Sequence, residues 1–318
     1  MDRDLNRLVH ELTERAPAEL DLTNGRHLDL ATSAAETLFG EASSHDELAN
    51  LEARLFEGDR EFPLLVHLAV KLAHSKRLVS RLVEPARLSV VFAMYKENKR
   101  ILEPEAHPHG EDFLRRKVAQ LEWLFEGSSH IAWRIFAVDD GCPEASGRIA
   151  REIIDRSGLE ERSEVLFLEE AIRRGEPVTR PLERTSESQK GGSIQLGMWQ
   201  AARQREANHV VLFTDADLST HLGQAGLLMF PILVEGSDAA IGSRREPTSV
   251  AIKKGKRNVR GKLFIYLWKR LLPELNHVVD TQCGFKAFRA DVARRIVVDT
   301  LEKKFAFDIE LLLRTELA

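Results

Sequence analysis

Cysteine is scarce: the 318 residues hold two, Cys142 and Cys283, far apart and in no CxxC pairing. That excludes a disulfide framework and a sequence-local zinc knuckle, leaving two reduced thiols in a cytosolic protein as the expectation. Apolar runs of bilayer length are missing as well. The most apolar stretches, Phe62 to Ala73 and Leu222 to Val234, fall short of the roughly 20 residues a spanning helix needs, and His67 and Lys71 interrupt the first. The charged opening Met1-Asp2-Arg3-Asp4 leads into no signal-peptide run, so any membrane substrate is expected to be met from the surface. No basic excess exists either. Lys+Arg number 46 and Asp+Glu 50, a net charge of −4 with pI ≈ 6.3, which argues against a dedicated nucleic-acid binder. The composition, 43% hydrophobic and 30% charged, is that of a globular protein of about two domains at roughly 150 residues each.

Residues 1 to 85 read as helical. Leu5, Leu8, Val9 and Leu12 fall at i, i+3, i+4, i+7, and Leu64, Leu65, Leu68, Leu72 and Leu78, Val79, Leu82 repeat the pattern. Nothing there suggests chemistry, so a helical packing or oligomerisation module is expected. After Pro85 the texture changes. Leu88–Ala93, Trp133–Val138 and Val210–Phe213 are short apolar runs rich in β-branched and aromatic residues. The amphipathic stretches Phe113–Phe125, Ala145–Ile154 and Ile194–Arg203 lie among them. Such alternation predicts a parallel sheet covered on both faces, with ligands at the carboxyl ends of its strands. The aperiodic stretch Arg173 to Gln189 reads as a mobile loop, either a cover for a ligand or a plain linker.

All three strands lead into acidic residues: Tyr95-Lys96-Glu97 after the first, Asp139-Asp140-Gly141 after the second, Thr214-Asp215-Ala216-Asp217 after the third. Crowded carboxylates repel and raise one another's pKa, so such a rim asks for cations or donor-rich ligands. Asp215-x-Asp217 can share a hard divalent ion, Mg²⁺ or Mn²⁺, whose coordination substrate phosphates complete. Lys190-Gly191-Gly192, ahead of a helical stretch, offers a lysine and helix N-terminal N–H groups to an anion. It is neither GxxxxGK[ST] nor GxGxxG, so the P-loop and dinucleotide-binding readings lack their motif.

Several blocks resemble, in order, those of family 2 glycosyltransferases with the GT-A fold: Leu88 to Glu97, Val138-Asp139-Asp140-Gly141, Gln189 to Met198, Thr214 to Thr220 and Ile241-Gly242-Ser243-Arg244. Asp280-Thr281-Gln282-Cys283-Gly284-Phe285-Lys286 and Phe305 to Leu312 closely resemble the dolichyl-phosphate β-glucosyltransferase branch. The resemblance covers residues 88 to 318. It implies an α/β fold, a GT-A domain with a Rossmann-like mixed sheet over 86–318, preceded by the helical module over 1–85. It also implies that Glu97, Asp139 and Asp140 hold the base and ribose of a nucleotide-sugar, with Lys190 near the nucleotide. Asp215 and Asp217 would bind ribose and a divalent metal, whose charge offsets that of the departing diphosphate. Gln282, Cys283, Gly284 and Lys286 would line the sugar and acceptor side, and Asp308 or Glu310 would be the catalytic carboxylate of an inverting displacement. Two features depart from that branch: about 85 helical residues stand where it usually carries a membrane anchor, and Asn98 to Gly127 is long. The chain stops at Ala318 inside a helical pattern, as a fragment of a longer protein would.

Between Ser243 and Arg270 lie ten cations and one acid, Glu246, a net +9 that leaves −13 on the rest. Within it, Leu263-Phe264-Ile265-Tyr266-Leu267-Trp268 and Leu271-Leu272 form an apolar block between cations, which suits an anionic membrane surface and a lipid-phosphate acceptor; a core-packed helix with a solvated basic face is the competing reading. Arg244 and Arg260 are the candidates for positioning an acceptor phosphate. The function expected is transfer of a hexose from UDP-glucose or a related donor to a polyprenyl phosphate or a soluble hydroxyl, in the cytoplasm or at the inner face of a membrane. Two alternatives are an inactive nucleotide-sugar-binding scaffold and a sugar-1-phosphate nucleotidyltransferase. Turnover separates the first and pyrophosphate release the second.

Overall fold

The computed structural model describes residues 3–57, 61–250 and 268–318. Four helices come first: α1 (Arg3–Arg15), α2 (Gly25–Glu41), α3 (His45–Arg54) and α4 (Leu64–Val79). The leucines spaced at three and four residues form their shared core, where Leu5, Leu38, Leu48, Leu65 and Leu72 are buried. Twelve of the 16 residues of α4 are buried. A helix apolar on nearly all sides needs neighbours on both faces. It has α2 and α3 on one and, on the other, α9 (Ala225–Leu233), a helix that covers the sheet.

A six-stranded sheet comes next, in the order β3-β2-β1-β4-β6-β5. The three apolar runs are β1 (Ala86–Met94), β2 (Ile131–Asp139) and β4 (His209–Thr214). They lie side by side and parallel, Met94 beside Asp139 and Val91 beside Phe213. Burial from both faces is why these strands read as continuous apolar runs. The sheet is mixed, as the family resemblance implies. β3 (Ser163–Phe167) adds a parallel edge, whereas β6 (Phe285–Arg289) runs antiparallel to β4 and to β5 (Ala239–Ile241). The alternating apolar runs had suggested parallel strands throughout, because short β5 and the polar-flanked β6 leave little pattern to read.

Helices α5 (Phe113–Leu124) and α6 (Ser146–Ser157) cover one face of the sheet together with α9. The other face carries α7 (Leu168–Arg174), α8 (Gly191–Ala201), α10 (Ala290–Ile296) and α11 (Phe307–Glu316). Strands β2 and β3 lie to one side of β1, and β4 lies to the other. The direction of winding therefore reverses between β1 and β4, and a crevice opens beyond their carboxyl ends.

Candidate active site

A cavity of about 630 Å³ occupies that crevice. Tyr95, Glu97, Arg100, Asp140, Lys190, Asp215, Asp217 and Phe305 are among its lining residues. The acidic ends of three adjacent strands thus meet in one place, as the sequence predicts. The turns that deliver them are tight: Lys96, Gln189 and Lys190 adopt left-handed backbone with φ of 60°, 44° and 91°.

Neighbouring carboxylates take separate roles. Asp140 faces the cavity, accepting from the Lys190 N–H at 2.8 Å and the Ser193 hydroxyl at 2.6 Å, and burial holds its pKa above the usual carboxylate range. Asp139 does not line the cavity. Its Oδ1 accepts from the N–H groups of Gly141 (3.0 Å) and Cys142 (2.9 Å), and its Oδ2 from that of Gly147 (2.7 Å). These bonds shape the β2–α6 turn, whereas the resemblance implied a place on the nucleotide.

Glu97 is joined to Arg100, whose Nη1 stands 3.1 Å from Oε2. Burial, with Asp217 and Glu111 nearby, raises the Glu97 pKa against the pull of Arg100. Asp217 Oδ1 accepts from the Ser219 N–H at 3.1 Å and hydroxyl at 2.5 Å, while Arg100 Nη2 lies 3.7 Å from Oδ2. Burial opposes ionisation of Asp217, but those hydrogen bonds and the Arg100 and Lys117 cations outweigh it and hold the pKa low. Asp215 is ion-paired with Lys190. Gly284 leaves room for it, since a Cβ there would stand 2.4 Å from Asp215 Oδ2.

Among the described residues no group of three or more His, Cys, Asp or Glu side chains could hold a metal ion. Asp215 and Asp217 nevertheless fit a hard divalent cation that takes one or two protein carboxylates and completes its shell with phosphate oxygens. The expectation of exposed N–H groups at the start of α8 is not met. Those of Gly192, Ser193 and Ile194 donate to Lys303 O, Ser188 Oγ and Lys190 O. The glycines serve packing instead: a Cβ on Gly191 would lie 2.6 Å from the Lys304 carbonyl oxygen.

At the far side of the site the two candidate carboxylates on α11 part ways. Asp308 is buried and bound by the Lys286 ammonium at 2.8 Å. Burial raises its pKa, and Lys286 and Lys190 work against that rise. Glu310 accepts from the N–H groups of Leu301 and Glu302 and from Arg314, closing the loop before α11. Both of its oxygens are thus engaged within the protein. Lys286 is fully buried, donating to Asp308 and to the Cys283 carbonyl and lying over the Phe213 ring.

Arg244 forms a two-pronged pair with Asp280, Nε–Oδ2 and Nη2–Oδ1 both 2.9 Å, which holds Asp280 low despite its burial. Gln282 is exposed, its N–H on Asp280 Oδ1 at 3.2 Å. Neither lines the cavity. Arg260 and residues 251–267 lie outside the described residues, and with them most of the basic segment; Trp268 at its end is buried against the core. Arg173 to Gln189 runs along the cavity with two buried anchors. Val178 and Leu182 anchor it in the core, and Lys303 Nζ donates to Val178 O at 2.8 Å, while most of its other residues are exposed. Thr185, Ser186 and Gln189 from it line the cavity.

Sequence reasoning missed two cations. Arg100 links Glu97, Glu111 and Asp217. Lys117, fully buried, donates from α5 to the Asp217 carbonyl at 2.8 Å, and burial pushes its pKa down to about 8. The signal for Lys117 was its place on the apolar stripe of Phe113, Leu114, Leu121 and Leu124, where a solvated lysine does not belong.

No family model matches the chain. A dolichyl-phosphate β-glucosyltransferase of Drosophila melanogaster is 29% identical over 237 residues, covering 72% of this chain and 62% of that protein. The human dolichyl-phosphate β-glucosyltransferase is 26% identical over 235 residues, 71% of this chain and 62% of its own. The chain is similar to these dolichyl-phosphate β-glucosyltransferases. The glycosyltransferase AglD of Haloferax volcanii is also 26% identical, over 73% of this chain but 31% of that protein. The chain thus spans about three fifths of the dolichyl-phosphate relatives' length. Among solved structures, a glucosyl-3-phosphoglycerate synthase from Mycobacterium tuberculosis is 17% identical with a TM-score of 0.39, over 70% of this chain and 61% of that one, a likeness too slight to carry weight.

Proposed function

We propose that this chain is an inverting hexosyltransferase that draws on a nucleoside-diphosphate sugar, UDP-glucose in the first instance. One observation carries the reading. Glu97, Asp140, Asp215 and Asp217, contributed by the ends of three adjacent strands, converge with Lys190 on a single cavity at the sheet's crossover. Carboxylates so placed can accept from the N–H groups of a base and the hydroxyls of a ribose, and Lys190 suits the diphosphate. Asp215 and Asp217 would hold Mg²⁺ or Mn²⁺, which when bound offsets the negative charge gathering on the departing diphosphate.

Asp308 takes the part of the acceptor-side carboxylate. A hydroxyl acceptor must lose a proton as it attacks, and a carboxylate whose pKa burial has raised is a better general base for that than an exposed one. A phosphate acceptor is already mostly ionised near neutral pH, with a second pKa of about 6, and needs cations more than a base. The names of the dolichyl-phosphate relatives and the +9 segment favour a lipid phosphate over a soluble hydroxyl. Contact with a membrane surface through 243–272 belongs to the same reading, as does a cytoplasmic or membrane-peripheral location.

The test is to incubate the protein with a panel of nucleotide-sugars and Mg²⁺ or Mn²⁺, with and without a short polyprenyl phosphate, and to follow nucleoside diphosphate release. Release from one donor, stimulated by the acceptor, is the expected result. Intact, folded protein that neither releases nor binds any nucleotide would overturn the assignment.

A further inference from the structure

Both aspartates of the Asp-x-Asp motif already carry a resident cation. Lys190 Nζ is paired with Asp215 Oδ1, and Arg100 Nη2 stands 3.7 Å from Asp217 Oδ2. The two cations are held differently. Arg100 is braced by Glu111, with Nε–Oε1 at 2.8 Å and Nη2–Oε2 at 3.1 Å, and by Glu97 at 3.1 Å. Lys190 is anchored only through its backbone, whose N–H donates to Asp140 at 2.8 Å. Its flexible four-carbon arm makes the one ion pair with Asp215, and both partners line the open cavity.

A divalent cation approaching this pair by itself must displace Lys190 from Asp215 and come close to the Arg100 guanidinium, which Glu97, Glu111 and Asp217 share. The gain from the aspartates is then offset by repulsion from Arg100 and by breaking the Lys190 pair. A nucleoside diphosphate changes the balance. Its oxygens offer Lys190 a new partner, release Asp215, and supply the ligands that two carboxylates lack.

We propose that Lys190 and Arg100 make divalent-metal binding conditional on the diphosphate: Lys190 is the exchangeable cation that moves from Asp215 to the ligand, and Arg100 the fixed one that penalises metal bound without it. This rests on the metal and nucleotide reading above, and it adds an order of binding to that reading. Metal without nucleotide binds poorly, and nucleotide and metal bind together.

The experiment measures Mn²⁺ affinity of the full chain from the free-ion electron paramagnetic resonance signal, with Mn²⁺ as sole ligand and then with saturating UDP. A protein-free titration corrects for Mn²⁺ held by UDP itself. Wild-type protein is expected to bind Mn²⁺ at least tenfold more tightly with UDP than without. An opposite charge at this range moves a carboxylate's proton affinity by one to three pKa units, so Lys190→Met and Arg100→Gln should each tighten UDP-free Mn²⁺ binding about tenfold. Arg100→Lys keeps the charge and should resemble wild type. Circular dichroism melts confirm that each variant is folded, and the two charge-removing variants act at different elements, so loss of one leaves the other.

Wild-type protein that binds Mn²⁺ equally well with and without UDP, or charge-removing variants whose UDP-free affinity is unchanged, would overturn the proposal while leaving the metal site standing. Absence of Mn²⁺ binding with UDP, GDP, CDP and dTDP alike would overturn the metal reading and this inference together.

Discussion

Asp308 and Glu310 sit two residues apart on one helix and neither lines the cavity, but Asp308 is buried on Lys286 within electrostatic range of Lys190 and Asp215. Glu310 is saturated by two N–H groups and Arg314. Asp308→Asn should lower transfer to a hydroxyl acceptor by about 10²–10⁴-fold, the usual weight of a general base, and transfer to a phosphate acceptor far less. The size of the loss, read from nucleoside diphosphate release with each acceptor, therefore reports which acceptor chemistry operates. Glu310→Gln should leave turnover near wild type and destabilise the fold by about 1–3 kcal/mol, measured by urea unfolding. Two buried imidazoles set a pH window. Burial pushes His209 down to about 4 and His221 down to about 3. Unfolded, each titrates near 6.5, so from about pH 6.5 downward the unfolded chain takes up protons the folded one refuses. Stability should fall on acidification by up to about 1.4 kcal/mol per pH unit for each histidine. Urea midpoints between pH 7 and pH 5 check this, and His209→Gln should flatten part of the slope.

Among the elements, two glycines separate stability from ligand binding. A Cβ on Gly191 would meet the carbonyls of Lys303 and Lys304, which are backbone and cannot swing away. Gly191→Ala should therefore cost about 1–3 kcal/mol in unfolding free energy, the usual range for overpacking. A Cβ on Gly284 would meet the Asp215 carboxylate, the end of a side chain that can turn aside. Gly284→Ala should leave the melting temperature within a few degrees of wild type. By displacing one coordinating carboxylate it should weaken joint Mn²⁺ and UDP binding about tenfold, as calorimetric titration would show. The strands that build the site were legible because burial on both faces makes β1, β2 and β4 unbroken apolar runs. β5 and β6 were not, being short and mixed in polarity. The packing of 173–189 was hidden for a related reason: its two anchors, Val178 and Leu182, follow no period, and their partners come from α8 and the loop before α11.

For the molecule as a whole, the net charge of −4 conceals a +9 segment against −13 elsewhere. Basic residues beside bulky apolar ones are attracted to anionic headgroups at about 1 kcal/mol each near the surface, and the attraction decays within a Debye length. Co-sedimentation with vesicles containing anionic lipid is the expected outcome at 0.1 M salt, with release at 0.5 M and none on neutral vesicles. Binding that ignores both salt and lipid charge would remove the membrane-surface reading. By itself the sequence determined the alternation of apolar strands and helices, the acidic ends of three strands and the family likeness, all of which are local patterns of residue type. Tertiary structure decided how each acid is engaged: Asp140 lines the cavity while Asp139 holds a turn, and Asp308 pairs with Lys286 while Glu310 holds a loop. Adjacent or near-adjacent carboxylates are chemically alike in a sequence. They differ only in which N–H groups and cations the fold brings to them, and for Asp140 and Asp308 those partners lie 50 and 22 residues away.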